Sequence, residues 1–215
     1  MNLRGVFVFF TVLTLSAVLC IGAETVTKTD NAILPYLSLP ISVYILDDRN
    51  GELSSTRTTE QLLEVFQNVN EIWLQAGIKF EIKYIGRIEL PTDVLKELVN
   101  GNYNPFLKAM NRDFRISTPS LFNAFYASSI GLVNGIAARS NMFFVTDFPS
   151  VRHERVTAHE IGHLLGLGHA HRDTARLMYS GTNGTILTEE EIKTARNNAK
   201  HKLNYYLLDK RSYFF

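Results

Sequence analysis

The sequence predicts an α/β (α+β) fold in which a twisted, mixed but mostly parallel sheet is packed against helices. Three observations lead there: a strand–helix–strand pattern over residues 41–84, a histidine-bearing helix over about 151–165, and a capped helix that starts at Thr188. The composition allows it. Of 215 residues 46% are hydrophobic and 20% charged, enough apolar material for the core of one globular domain and too much for a disordered or collagen-like chain.

The segment ahead of this pattern reads differently. Arg4 supplies a positive start, residues 6–21 are almost wholly apolar, and Gly22 and Ala23 are the small residues a signal peptidase needs. The expected organisation is a signal peptide over 1–23, a short N-terminal segment over 24–39 and one folded domain over 40–215, secreted to an extracellular or periplasmic compartment. An uncleaved signal anchor and a lipoprotein joined through Cys20 are the alternatives. The apolar run is shorter than the roughly 20 residues of a membrane span, and Leu19 stands where a lipoprotein has a small residue. No other segment is long enough for a span, so no stable membrane span is expected after cleavage.

Loss of 1–23 removes Arg4 and no acid, turning 22 basic and 21 acidic side chains into 21 of each. No net field then recruits nucleic acid. Cys20 is the single cysteine, so the mature chain would have no disulfide, no thiol nucleophile and no thiolate metal ligand.

The elements follow in order. Residues 41–46 are apolar but for Ser42, as in a strand buried on both faces. Thr58 and Gln61 have capping-box spacing, and Leu62, Phe66, Val69, Trp73 and Ala76 recur on one face of a long helix ending at Gly77. Residues 78–84 alternate apolar and polar, predicting a half-buried strand, and a strand–helix–strand unit is normally a right-handed crossover between parallel strands. Short helices are expected over 92–100 and 104–114, strands over 130–138 and 142–148, and a last helix from Thr188, boxed by Glu191, to about 207.

The chemistry concentrates in Thr157-Ala-His-Glu-Ile-Gly-His-Leu-Leu-Gly-Leu-Gly-His169. Residues four apart share a helix face, so His159 and His163 can converge on one cation. A catalytic zinc takes three protein ligands and keeps a position for water, so the chain must leave the helix and bring back His169. Gly166 suits that exit, because glycine past a helix end adopts the left-handed conformation without penalty, and Gly168 adds freedom before His169. Glu160 lies beside the first ligand and can act as general base toward an attacking water. A structural zinc site, usually closed by four ligands and rich in thiolates, fits less well.

This stretch resembles the elongated zinc-binding consensus of the metzincins, and its filling residues resemble those of matrixins most. Met178, nine residues after His169 in Leu177-Met178-Tyr179, fits the family's methionine turn. The resemblance implies a zincin-like fold over 40–215 with one catalytic Zn2+. It implies a secreted zinc endopeptidase, a monomer acting on a protein or peptide substrate. It also implies that 131–137 is an antiparallel edge strand, with Gly135, Ile136 and Ala137 binding substrate backbone by strand addition. Residues 179–186, starting at Tyr179, would wall an apolar pocket.

The chain departs from matrixins in places. Residues 24–39 hold no cysteine to block the zinc, and 85–150 hold no histidine for a second, structural zinc. Ala170 stands where matrixins have serine, and Ser180 stands where astacins have a tyrosine ligand. No EF-hand loop appears, and calcium is left open. His153 and His171 read as solvated loop histidines, Asp173 as a group able to orient a ligand histidine, and Asn183-Gly-Thr185 as a glycosylation sequon. Two rival readings keep the same residues: a secreted, non-catalytic binding protein on this scaffold, and a zinc amidase acting on a non-protein or cell-wall peptide.

Overall fold

A computed structural model describes residues 35–112 and 121–212, all within one unit, Leu34–Phe215. The expected signal peptide lies outside the described residues.

Strand β1, Leu37–Asp48, is buried from Leu39 to Leu46, so the apolar run at 41–46 is the middle of a longer strand. Its side chains alternate between two cores: Leu39, Ile41, Val43 and Ile45 face one, Tyr44 and Leu46 the other. That is why the buried stretch carries no charge, its apolar residues being interrupted only by the small, fully buried Ser42. Helix α1, Thr59–Trp73, starts with the expected box of Thr58 and Gln61, tightens into a 3-10 turn over Leu74–Ala76, and ends on Gly77 in the left-handed conformation. Strand β2, Ile78–Leu90, then returns parallel to β1, as the crossover requires.

Helices α2, Thr92–Val99, and α3, Asn104–Arg112, supply Leu95, Leu98 and Phe106 to the second core. There Phe106 meets Phe125 and Phe144 edge-on at 4.9 Å. Positions 113 and 114 of the expected helix lie outside the described residues.

Strand β3, Phe122–Ala127, was not expected and is buried throughout. It pairs parallel with β1 and with β5, Met142–Thr146, and so holds the sheet together. Strand β4, Gly135–Arg139, pairs antiparallel with β5, giving one five-stranded sheet in the order β2-β1-β3-β5-β4. The architecture is the mixed, mostly parallel sheet with an antiparallel edge strand that the sequence predicted. The edge strand itself begins later than the expected 130 or 131. Residues 130–134 form a turn in which Gly131, at φ +56°, lies so close to Gly101 that a Cβ on it would come within 3.1 Å of the Gly101 Cα.

Helix α4, His153–Leu164, packs on the first core, tied to β3 by a 2.9 Å bond between Thr157 Oγ1 and the Tyr126 hydroxyl. Helix α5, Glu189–Ser212, opens with the Thr188–Glu191 box and runs past the expected end at 207. Among the described residues no helix is long and apolar enough to cross a membrane.

Candidate metal centre

Helix α4 carries His159, Glu160 and His163, and its burial against the core fixes where they point. Past its end the chain reverses at Gly166, φ +83°, where the Gly166 and Leu167 N–H groups donate back to His163 and Gly162 carbonyls. This turn delivers His169. The three imidazoles then offer ligand atoms that all lie within 4.8 Å of one another.

The hydrogen bonds say which nitrogens face inward. Nδ1 of His159 donates to the Leu177 carbonyl at 2.8 Å, and Nδ1 of His163 donates to the Leu167 carbonyl at 2.9 Å. A carbonyl only accepts, so in the neutral rings both Nε2 atoms carry lone pairs. Nε2 of His163 nevertheless faces Nε2 of His169 at 3.1 Å. Tetrahedral zinc with bonds of about 2.0–2.1 Å would hold two such nitrogens about 3.3 Å apart. The donor set, its tautomers and its spacing therefore fit zinc.

Burial pushes the His159 imidazole down to about 4, the Leu177 carbonyl opposing and the charge of Arg155 adding to it, and burial also lowers His163. Neutral imidazole is the form a metal takes. Burial acts the other way on Glu160 and pushes its carboxyl up to about 8, against the backbone N–H of Ala137 and the Arg155 charge. The carboxyl lies against β4, where a Cβ on Gly135 would come within 2.9 Å of Glu160 Cγ and Oε1. Between β4 and α4 runs a cleft of about 540 Å³ lined by residues 135–140 together with Glu160, His163, Leu164 and His169.

Met178 is fully buried, and its sulfur occupies the space a Cβ on Gly162 would need, 2.5 Å away. Met178 thus packs on α4 between His159 and His163, and its carbonyl accepts from the Ala170 N–H at 2.8 Å, tying this turn to His169.

Gly135, Ile136 and Ala137 line the cleft with the histidines and Glu160. Tyr179 does not: it is half-buried against the main core. Asp173 orients no histidine. It sits at φ +71° with its carboxylate accepting from the Ala175 N–H, and backbone carbonyls do the orienting instead. His153 is not a loop residue but the first of α4, half-buried against the Arg57 guanidinium. His171 is exposed, and Asn183, also exposed, accepts the Arg152 N–H at 2.8 Å.

Sequence reasoning missed Arg155. It is 3% exposed and its guanidinium donates to the carbonyls of Leu177, Tyr179 and Gly184, spanning the methionine turn and the loop behind it. Its position four residues before His159, on the same helix face, was the available signal. Asp147 was missed too: buried, it accepts from Ser55 Oγ at 2.7 Å and Thr56 Oγ1 at 3.0 Å, and Arg57 Nε stands 3.8 Å away, so residues 55–57 are pinned beside the start of α4.

The matrixin family model matches residues 108–200, which hold the triad, Glu160 and Met178. Archaemetzincin from Methanopyrus kandleri superposes with a TM-score of 0.54 at 17% identity, covering 77% of this chain and 96% of that one. Metalloproteinase-II from Bacteroides fragilis gives 0.54 at 14% identity, covering 76% of this chain and 54% of that one. No curated protein sequence matches. The chain thus shares the fold of these two metalloproteinases, is similar to the matrixins over 108–200, and brings together a histidine triad suited to zinc.

Proposed function

We propose that this chain is a metzincin-like zinc metalloprotease, a secreted endopeptidase that hydrolyses internal peptide bonds with Glu160 as general base. The observation that carries the reading is the convergence of three histidines, two with their Nε2 lone pairs turned inward, beside a buried carboxyl group and a sheet edge that no other described strand covers.

Zinc, when bound by His159, His163 and His169, supplies a Lewis acid that acidifies water and polarises a carbonyl. The chain supplies the rest. Among the described residues no strand pairs with the outer edge of β4, which can take an extended polypeptide by strand addition, placing its backbone along the cleft. Glu160, its basicity raised by burial, accepts the proton of the attacking water and returns it to the departing amine. A cleft open along an edge strand favours bonds in the middle of a chain over those at its ends. The apolar segment 6–21 supports export.

The test is a peptide library incubated with the zinc-loaded protein, with its Glu160→Gln variant and with chelator-treated protein, zinc content being measured on each. Internal cuts made only by the untreated wild type, while Glu160→Gln still holds about one zinc, are the expected result. Removal of terminal residues alone would sink the endopeptidase reading, and full activity in Glu160→Gln would sink the mechanism.

A further inference from the structure

Arg139 ends the edge strand at the side of the cleft away from Gly135, and it is exposed. Lys202 donates from Nζ to the carbonyl of the following residue, Ser140, at 2.7 Å, and stands over the Phe122 ring, outside the cleft. Among the described residues no carboxylate pairs with Arg139, and Glu160 is the single carboxylate lining the cleft. A guanidinium is a planar fork of donors matched to a carboxylate, and here it stands unpartnered on a surface that takes peptide.

The geometry sets the distance. Gly135 and Ala137 both lie at Glu160, which places the reacting bond abreast of them. At about 3.3 Å per residue, Arg139 is about 7 Å further along, two to three residues of an extended peptide. The pairing of β4 with β5 also shifts register between Ala137 and Arg139. Such a bulge at a sheet edge re-aims the side chains that follow it.

We infer that Arg139 selects peptides that carry a carboxylate side chain about two or three residues from the cleaved bond. This rests on the peptidase reading above. Peptides blocked at both ends and differing only in Glu or Gln, at each position on either side of the bond, test it. The same set with free C-termini distinguishes a side-chain carboxylate from a terminal one.

In the wild type kcat/KM is expected to favour Glu over Gln by about fivefold at one such position, the range of an exposed ion pair, and less as salt is raised. Arg139→Gln should abolish the ratio, and Arg139→Glu should turn it toward peptides with Lys at that position. Equal rates for Glu and Gln, a preference that survives Arg139→Gln, or one present only with free C-termini overturns the inference. Failure to cut any peptide sinks the peptidase reading and this inference with it, whereas unselective cutting sinks this one alone.

Discussion

Replacing Arg155 by Met should weaken both the fold and its hold on zinc. The side chain is 3% exposed, and no carboxylate among the described residues pairs with it, so its partners are the carbonyls of Leu177, Tyr179 and Gly184. A hydrogen bond from a charged donor contributes about 1.5–3 kcal/mol. Leu177 O keeps His159 Nδ1, so the main losses are at Tyr179 and Gly184. Relief of the buried, unpaired charge offsets part of this. The balance is a loss of about 2–4 kcal/mol, below the roughly 5–15 kcal/mol of a typical domain, so the variant should still fold. Zinc affinity should fall by about 10- to 100-fold, as for other residues that orient a ligand through its hydrogen-bond partner. Urea unfolding in chelator gives the first quantity, and competition against a chromophoric chelator gives the second. Arg155→Lys keeps the charge but not the fork, and should recover only part of each. A stability loss with zinc affinity unchanged would refute the coupling through Leu177; no change in either would refute the clamp.

Two further outcomes test the site locally. His159 sits near 4 in the folded protein and ordinarily at 6.5, so the unfolded chain binds more protons. Its contribution to metal-free stability is therefore complete above 6.5 and lost as pH falls toward 4, by at most about 3 kcal/mol. Urea midpoints in chelator should drop more steeply over that window for wild type than for His159→Gln, and equal slopes would show that the buried neutral imidazole plays no such part. Gly166→Ala must hold φ +83° and press its Cβ to 2.5 Å from Asn198 Nδ2, a loss of about 1–2 kcal/mol from the left-handed backbone alone. Gly168→Ala, with nothing within 4 Å, should change stability by no more than about 0.5 kcal/mol. Thermal unfolding of the two side by side decides whether it is the turn at 166, rather than glycine content, that returns His169.

What could be read in advance divides along a physical line. The capping boxes at Thr58 and Thr188, the helical spacing of His159 and His163 and the exit at Gly166 are local, set by residues within a few positions of one another, and they appear where the pattern placed them. Strand β3 escaped because it is buried on both faces, Asn123 included, and so shows no alternation of apolar and polar residues; its pairing partners lie in β1 and β5, outside any local window. The edge strand was drawn too long because the turn at Gly131 is imposed by Gly101, thirty positions earlier. Arg155 and the true orienting groups of the triad share a deeper cause. The atoms that hold them are backbone carbonyls of residues 167, 177, 179 and 184, supplied by a loop that returns beneath the helix. Every residue type carries such a carbonyl, so no letter in the sequence announces it. The histidines are legible because few side chains can hold zinc; their supports are not, because any residue's carbonyl will serve.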